Sequence, residues 1–396
     1  MALYKYGICL VAGSATALIL ESRITSKQKK ALIGGGLATV GVAVSTLLKN
    51  PLGIVFSSGL AVGTVVSVLA KPSRQTENTS QNVIEETLRF EVSNTSIESL
   101  LLENGIQTPR VPRGFKLVLD VYHLNTPQDK IRYFWKEISV DDSQKDWVPA
   151  SVVKIFPMLA ALQKLSALGF DENTSVTFRD TNQKISIREL IWATIVQSSN
   201  MTYNRLVQLV GHEFLNKEFL TAYPNTEINT PYIKDEWVAY TRGNSTFASP
   251  SIMLQDSSKE TELAPTSVYT PQMCKGRSAC TKLSDLNDLL SDAILFNSKG
   301  VSQGLQNVYL EALSAKKTSG EDFSNSILSN VSGFNFLNFN KHGFNGTSYT
   351  QSVLLYDPNK QIAFAISATG AESSKACLND VGRAIGQLIT KLKFER

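Results

Sequence analysis

Apolar and polar positions alternate from Phe115 to His123, which predicts a β-strand. Thr126-Pro127-Gln128-Asp129 has turn chemistry, and Ile131–Ile138 reads as the returning strand of a hairpin. From Val152 to Leu168 the spacing changes to that of a buried helix, with Pro157 in its second turn. In Ser186-Ile187-Arg188-Glu189 a Ser is followed three positions on by Glu. That is a capping box, and it opens a helix with Ile187, Leu190, Ile191, Thr194 and Ile195 on one side. The helix runs into Gln197-Ser198-Ser199-Asn200, and another follows from about Thr202 to Val210. Near the end, Phe339–Phe344, Tyr349–Tyr356 and Gln361–Thr369 predict an antiparallel meander that turns at Asp357-Pro358-Asn359. Leu378–Leu392 predicts a closing amphipathic helix. Strands, then helices, then strands, then a helix make an α+β domain: an antiparallel sheet drawn from both ends of the domain, with a helical insert between. Residues 225–270, rich in Ser, Thr and Asn, are expected to be irregular.

The front of the chain follows another pattern. Tyr4–Leu20 is apolar and uncharged except for Lys5, and Ala31–Leu48 and Leu52–Ala70 carry no charge. Each run approaches the length that spans a bilayer as a helix, so residues 1–70 are expected to be a membrane anchor of transmembrane helices, with residues 4–70 in contact with lipid. Gly59 and Gly63 have the small-residue spacing that lets membrane helices approach closely. Residues 71–89 read as a polar linker, which leaves 90–396 for the folded domain. Arg23, Lys27, Lys29 and Lys30 favour a cytoplasmic first loop. Three spans would then leave the C-terminal domain inside, and two would leave it outside.

Composition narrows the class. A chain of 396 residues, 42% hydrophobic, suffices for one large domain and a smaller element. A net charge of +4, without a dense basic block among aromatics, gives no reason to expect nucleic acid. Four cysteines occur without a C-x-x-C pair. Cys274 and Cys280 bracket five residues and either close a small disulfide loop or stay as free thiols. With three His residues, and no H-E-x-x-H, P-loop or G-x-S-x-G string, no metal or cofactor is expected. The sequence assigns no oligomeric state.

Three short strings carry candidate chemistry. In Ser151-Val152-Val153-Lys154 the Ser and Lys lie three apart and share a helix face. Ser is a weak nucleophile without a base beside it, and an amine serves as base where burial or a second cation favours its neutral form. Ser198-Ser199-Asn200 follows a helix end, where alternate residues can aim a hydroxyl and an amide the same way. Lys341-His342-Gly343 falls on a predicted strand: Lys341 supplies positive charge, and Gly343 permits close approach of a substrate backbone. Each string alone is weak evidence.

In this order, on these elements, the strings resemble the S-x-x-K, S-D-N and K-T-G signature of class A β-lactamases and penicillin-binding proteins. Val148–Ile155 resembles that superfamily's segment around its nucleophile, and Ile187–Leu190 running to Asn200, then Asn204-Arg205-Leu206 and Gly211, its second motif. The resemblance spans about residues 90–396 and implies a β-lactamase/transpeptidase-like fold with an all-helical subdomain. It implies Ser151 as nucleophile, Lys154 as general base or relay, and Ser198 as proton shuttle. It implies Asn200 as a holder of substrate and of Lys154, and Lys341 as carboxylate receptor. His342 and Gly343 would bind substrate, and the backbone N–H groups of Ser151 and Phe344 would form an oxyanion hole.

The match departs in places. Ser199 stands where Asp is usual and His342 where a hydroxyl is usual. The Glu-x-x-Leu-Asn loop that supplies the deacylating base is missing, and Asp235-Glu236-Trp237 does not fit it although Glu236 lies at a suitable distance along the chain. Acylation is therefore expected to outpace deacylation. The implied activity is hydrolysis of, or acylation by, β-lactam or D-Ala-D-Ala-type amides. The alternatives are a D,D-peptidase acting on peptidoglycan stem peptides and a catalytically weak membrane-tethered assembly module. Such substrates lie outside the bacterial cytoplasmic membrane, so the catalytic domain is expected to be extracytoplasmic.

Overall fold

The computed structural model describes residues 6–12, 15–21, 88–125, 128–136, 149–228, 249–266, 279–316, 322–344, 348–371 and 375–392. The chain divides into two compact units, Met1–Ala61 and Val62–Arg396. In the first, β1 (Tyr6–Ala12) and β2 (Ala15–Glu21) pair antiparallel, from Tyr6 opposite Glu21 to Ala12 opposite Ala15. Within the run expected to be helical over 4–20, the described residues are thus paired strands. Ile8, Val11, Thr16 and Ile19 are β-branched, which suits strands. The runs at 31–48 and 52–70 lie outside the described residues.

Among the described residues the second unit begins with β3 (Arg89–Val92) and α1 (Ile97–Glu103), the helix capped by Ser96 through the N–H of Ser99. Then come β4 (Lys116–His123) and β5 (Asp129–Phe134), the predicted hairpin with a shorter second strand. A 3-10 turn, Ala150–Lys154, leads into α2 (Ile155–Ala167). After β6 (Ser175–Phe178) and β7 (Gln183–Ser186) come α3 (Ile187–Ile195), α4 (Asn200–Val210) and α5 (His212–Lys217). β8 (Glu227–Ile228), β9 (Ile252–Gln255), β10 (Glu260–Leu263) and β11 (Ala279–Cys280) precede α6 (Leu283–Ser291), α7 (Gln303–Ser314) and α8 (Asp322–Leu328). The chain closes with β12 (Leu337–Phe344), β13 (Ser348–Asp357), β14 (Ile362–Ala371) and α9 (Lys375–Lys391).

The main sheet has the order β12-β13-β14-β4-β5-β3. Its pairs are antiparallel except β3 on β5, which is parallel, so the expected all-antiparallel sheet has one parallel edge. The central strands are covered on both faces. Leu117, Leu119, Phe364 and Ile366 pack with Ile97, Leu101, Val381 and Ile385 of α1 and α9. Val118, Tyr122, Ala363 and Ala365 pack on the other side with the larger core around α2. Two successive positions thus point to opposite cores, which is why β4 and β14 carry apolar residues at consecutive positions.

The middle helix of the larger core, α2, is buried from Ile155 through Leu162. Among the described residues, Ala150–Ala167 is the one helical stretch long and apolar enough to cross a membrane, and here it is the buried core helix. The capping box forms as predicted: the Ser186 hydroxyl accepts from the Glu189 N–H, and the Glu189 carboxylate accepts from the Ser186 N–H. The expectation of irregular chain over 225–270 is corrected in its described part. Ile252 and Leu254 are buried at alternate positions, and β9 joins β10 and β6 in a four-stranded sheet of order β10-β9-β6-β7. The turn between them is set by Asp256, whose Oδ1 accepts from the N–H of Ser258 and Lys259. Asp235, Glu236, Trp237, Thr270 and Pro271 lie outside the described residues.

Candidate active site

Ser151 sits on the 3-10 turn, not on the α-helix that the spacing predicted. In a 3-10 turn residues three apart eclipse one another, so Lys154 lies directly behind Ser151. Lys154 Nζ is 3.1 Å from Ser151 Oγ. The turn is entered through Ala150, whose φ of 49° is left-handed in a non-glycine residue. Such a conformation costs of order 1–3 kcal/mol and persists where packing enforces it. Ala150, Val152, Val153 and Lys154 are all buried, and this packing supplies the enforcement.

The second string arrives from α3. After Ile195 the chain turns, and Ser198 also takes a left-handed φ, 58°. Both the carbonyl and the hydroxyl of Ser198 then face Lys154. Nζ donates to Ser198 O at 2.5 Å and to Asn200 Oδ1 at 2.6 Å, and lies 3.4 Å from Ser198 Oγ. Ser199, the middle residue, turns away and caps α4, its hydroxyl accepting from the Thr202 N–H at 3.3 Å. The replacement of Asp by Ser there is a substitution at a helix cap.

The third string arrives 143 residues after Ser198. Lys341 Nζ donates to Ser198 Oγ at 3.0 Å and to the carbonyl of His342 at 2.9 Å. Two fully buried amines therefore share one hydroxyl. On β12, alternate residues face opposite sides. Lys341 and Gly343 face the Ser151 turn. A Cβ at residue 343 would stand 2.5 Å from Ser151 N and 2.9 Å from Val152 N, so glycine alone allows the strand to lie this close. His342 and Phe344 face the other way. The His342 ring lies nearly parallel to that of Tyr349, with centroids 6.5 Å apart, and Phe344 leans on the same tyrosine at 6.3 Å.

The donor count around Lys154 limits its chemistry. Its two shortest contacts, Ser198 O and Asn200 Oδ1, are oxygens that only accept. A neutral amine has two N–H groups and one lone pair. In that form the N–H groups serve those two acceptors and the lone pair would face Ser151 Oγ, whereas a charged ammonium donates to all three oxygens. The arrangement can draw a proton from Ser151 and return one through Ser198.

A family model described as the β-lactamase enzyme family matches residues 135–391. The chain belongs to that family. Membership assigns it, in broad terms, to the serine hydrolases. Among solved structures the chain is similar to the TLA-1 extended-spectrum β-lactamase, at 14% identity over 75% of this chain and 98% of that one, TM-score 0.45. It is also similar to a β-lactamase from Xanthomonas campestris pv. campestris, at 14% identity, 75% and 98% coverage and TM-score 0.46. PBP-A is similar at 15% identity, 77% and 100% coverage and TM-score 0.46. No curated protein matches.

The structure thus brings together Ser151, Lys154, Ser198, Asn200 and Lys341, with Gly343 packed against them and His342 on the opposite face of β12. Sequence reasoning missed the roles of Ala150, of the Ser198 carbonyl and of the His342 carbonyl. No side-chain pattern signals a backbone oxygen or a left-handed alanine. Cys280 is disulfide-bonded and Cys377 is a free thiol, whereas Cys274 lies outside the described residues. No cluster of metal-ligating side chains occurs among the described residues.

Proposed function

We propose that the protein is acylated on Ser151 by strained or D-Ala-D-Ala-type amides and releases the acyl group slowly. Ser151 Oγ attacks the acyl carbonyl as its proton passes to neutral Lys154. The backbone N–H groups of Ser151 and Phe344 hold the oxyanion, each donor being worth about 3 kcal/mol of barrier. The carbon–nitrogen bond then breaks. Ser198 gives its proton to the leaving nitrogen and recovers one from Lys154, which restores the neutral amine. Asn200 holds Lys154 and the substrate amide, while Lys341 polarises Ser198 and attracts the substrate carboxylate. His342 and Gly343 line the strand that the substrate meets. The observation that carries this reading is the meeting of Lys154 Nζ with Ser151 Oγ at 3.1 Å, with Ser198 O and Asn200 Oδ1 as its two shorter contacts.

The missing Glu-x-x-Leu-Asn string favours a penicillin-binding or D,D-peptidase behaviour over efficient β-lactam turnover. Intact-protein mass after mixing with a penicillin tests both parts. The expected result is a stable adduct on wild-type protein and none on Ser151→Ala. No adduct on the wild type would favour a non-catalytic module, and rapid loss of the adduct would favour a β-lactamase. We further propose that the domain lies outside a bacterial cytoplasmic membrane, attached through the uncharged runs at 31–48 and 52–70. The oxidised state of Cys280 supports such a compartment. Protease should then remove the domain from intact spheroplasts; full protection until the membrane is permeabilised would overturn the placement.

A further inference from the structure

β3 closes the sheet at the edge opposite β12 and, among the described residues, pairs with β5 alone. All four of its residues, Arg89, Phe90, Glu91 and Val92, are exposed. Phe90 is 54% exposed although one face of its ring rests on two cations, with Lys130 Nζ 4.9 Å and Arg132 Cζ 5.4 Å from the centroid. The ladder fixes which backbone groups are left over. Arg89 N–H donates to the Gln128 carbonyl at 3.1 Å, and Ser93 N–H to the Arg132 carbonyl at 2.9 Å. In a parallel ladder alternate residues turn to the partner strand. Residues 89, 91 and 93 therefore face β5, and the N–H and C=O groups of Leu88, Phe90 and Val92 face outward. An open row of this kind is a template for another strand, and edges are commonly guarded by lysine or proline. Neither stands between Leu88 and Ser93.

The side chains select the strand that fits. Two copies related by a two-fold axis across this edge meet antiparallel. With the outward residues in the hydrogen-bonded pairs, the axis can pass through Phe90, Glu91 or Val92. An axis at Glu91 sets two carboxylates face to face. An axis at Val92 sets Phe90 against Asn94 and Glu91 against Ser93. An axis at Phe90 sets Phe90 on Phe90, Leu88 on Val92 and Arg89 on Glu91. The Arg–Glu pairs are then the non-hydrogen-bonded ones, in which side chains come closest. Every pair is complementary in that register. The cations beneath Phe90 do not oppose it, because Asp120 and Asp288 already pair with Lys130 and Arg132.

We propose that β3 is a self-pairing edge through which two copies of this chain join their six-stranded sheets, with Phe90 on the two-fold axis and Arg89 of each copy opposite Glu91 of the other. Both candidate active sites stay open, because β12 lies five strand spacings away, about 24 Å. Charge exchange tests the pairing on the full chain in detergent, by sedimentation velocity over a concentration series. Wild type should pass from monomer to dimer. Arg89→Glu leaves each edge with two acidic residues and Glu91→Arg with two basic ones, so each variant alone should self-associate about tenfold more weakly. Mixed one to one, the two variants should dimerise as the wild type does, because each Glu then meets an Arg. Weakened variants that mixing does not restore overturn the register. A wild type that stays monomeric throughout overturns the proposal, and exchange-protected amides at Phe90 and Val92 in that monomer would assign the edge to the chain's own preceding segment. A dimer that neither charge change weakens also overturns it and places the contact elsewhere on the chain.

Discussion

Gly343→Ala tests the juxtaposition on which the site depends. The added Cβ would stand 2.5 Å from Ser151 N and 2.9 Å from both Val152 N and Ala150 Cβ. Ordinary carbon–nitrogen contact lies near 3.5 Å, so roughly 1 Å of overlap must be relieved. Two of the three obstructing atoms are backbone nitrogens on a buried turn, and neither can swing aside. β12 must therefore withdraw by about the same distance. Because the strand continues through its pairing with β13 into a core of Val353, Phe364 and Ile366, the withdrawal stays local to its end. Overpacking of this size costs roughly 1–3 kcal/mol of stability, which leaves the domain folded. The catalytic cost is larger. The Phe344 N–H moves with the strand, and loss of one oxyanion donor slows acylation about 10²–10³-fold. Intact-mass kinetics with benzylpenicillin measure the rate, and a thermal melt on the same sample reports the fold. Acylation within threefold of wild type, in a folded protein, would mean that residue 343 does not abut the nucleophile and would refute the reasoning.

Other outcomes follow from the packing. Asp120 is fully buried and accepts from Arg132 Nε and Nη2, each at 2.7 Å, with Lys130 Nζ at 3.2 Å. Burial works against the Arg132 charge, yet the Asp120 carboxylate outweighs it and holds the guanidinium above its ordinary value. Asp120→Ala leaves Arg132 and Lys130 with Asp288 as their remaining partner and should cost about 1–3 kcal/mol in urea unfolding; no measurable loss would contradict this. His212 is buried, its Nδ1 3.2 Å from the Ile228 carbonyl, and burial pushes its pKa down to about 4. The unfolded chain takes up the proton near pH 6.5, so stability should decline by roughly 3 kcal/mol as pH falls from 6.5 to 4. His212→Gln should flatten that part of the pH profile, and an unchanged slope would assign it to other groups. Ser186→Ala removes one half of the capping box and should cost about 1 kcal/mol of stability. A melt indistinguishable from that of the wild type would show that the cap contributes nothing.

Much of the sheet and several helices were legible because their signals are local. The alternation of β4, the meander of β12 to β14 and the capping box of α3 each depend on residues within a few positions of one another. Four-residue strands such as β6, β7, β9 and β10 are too short to show a period; they pair as the neighbours β6-β7 and β9-β10, and the long-range pairing of β6 with β9 joins the two into one sheet. The apolar run at the front satisfied the length test for a membrane helix, yet residues 6–12 and 15–21 pair as strands. Hydrophobic content does not distinguish the two, because β-branched apolar residues suit a strand as well as a membrane helix.

Sequence by itself determined that Ser151 and Lys154 would meet, since three residues on one turn need no help from elsewhere. It also determined which side chains could do chemistry at all. Only the tertiary structure decided that Lys341 would reach Ser198 across 143 positions, that two amines would share its hydroxyl, and that Gly343 would abut Ser151. The reason is the range of the forces. Helical spacing and capping act within a turn of chain, whereas the meeting of β12 with the Ser151 turn depends on how two separate cores pack on one sheet.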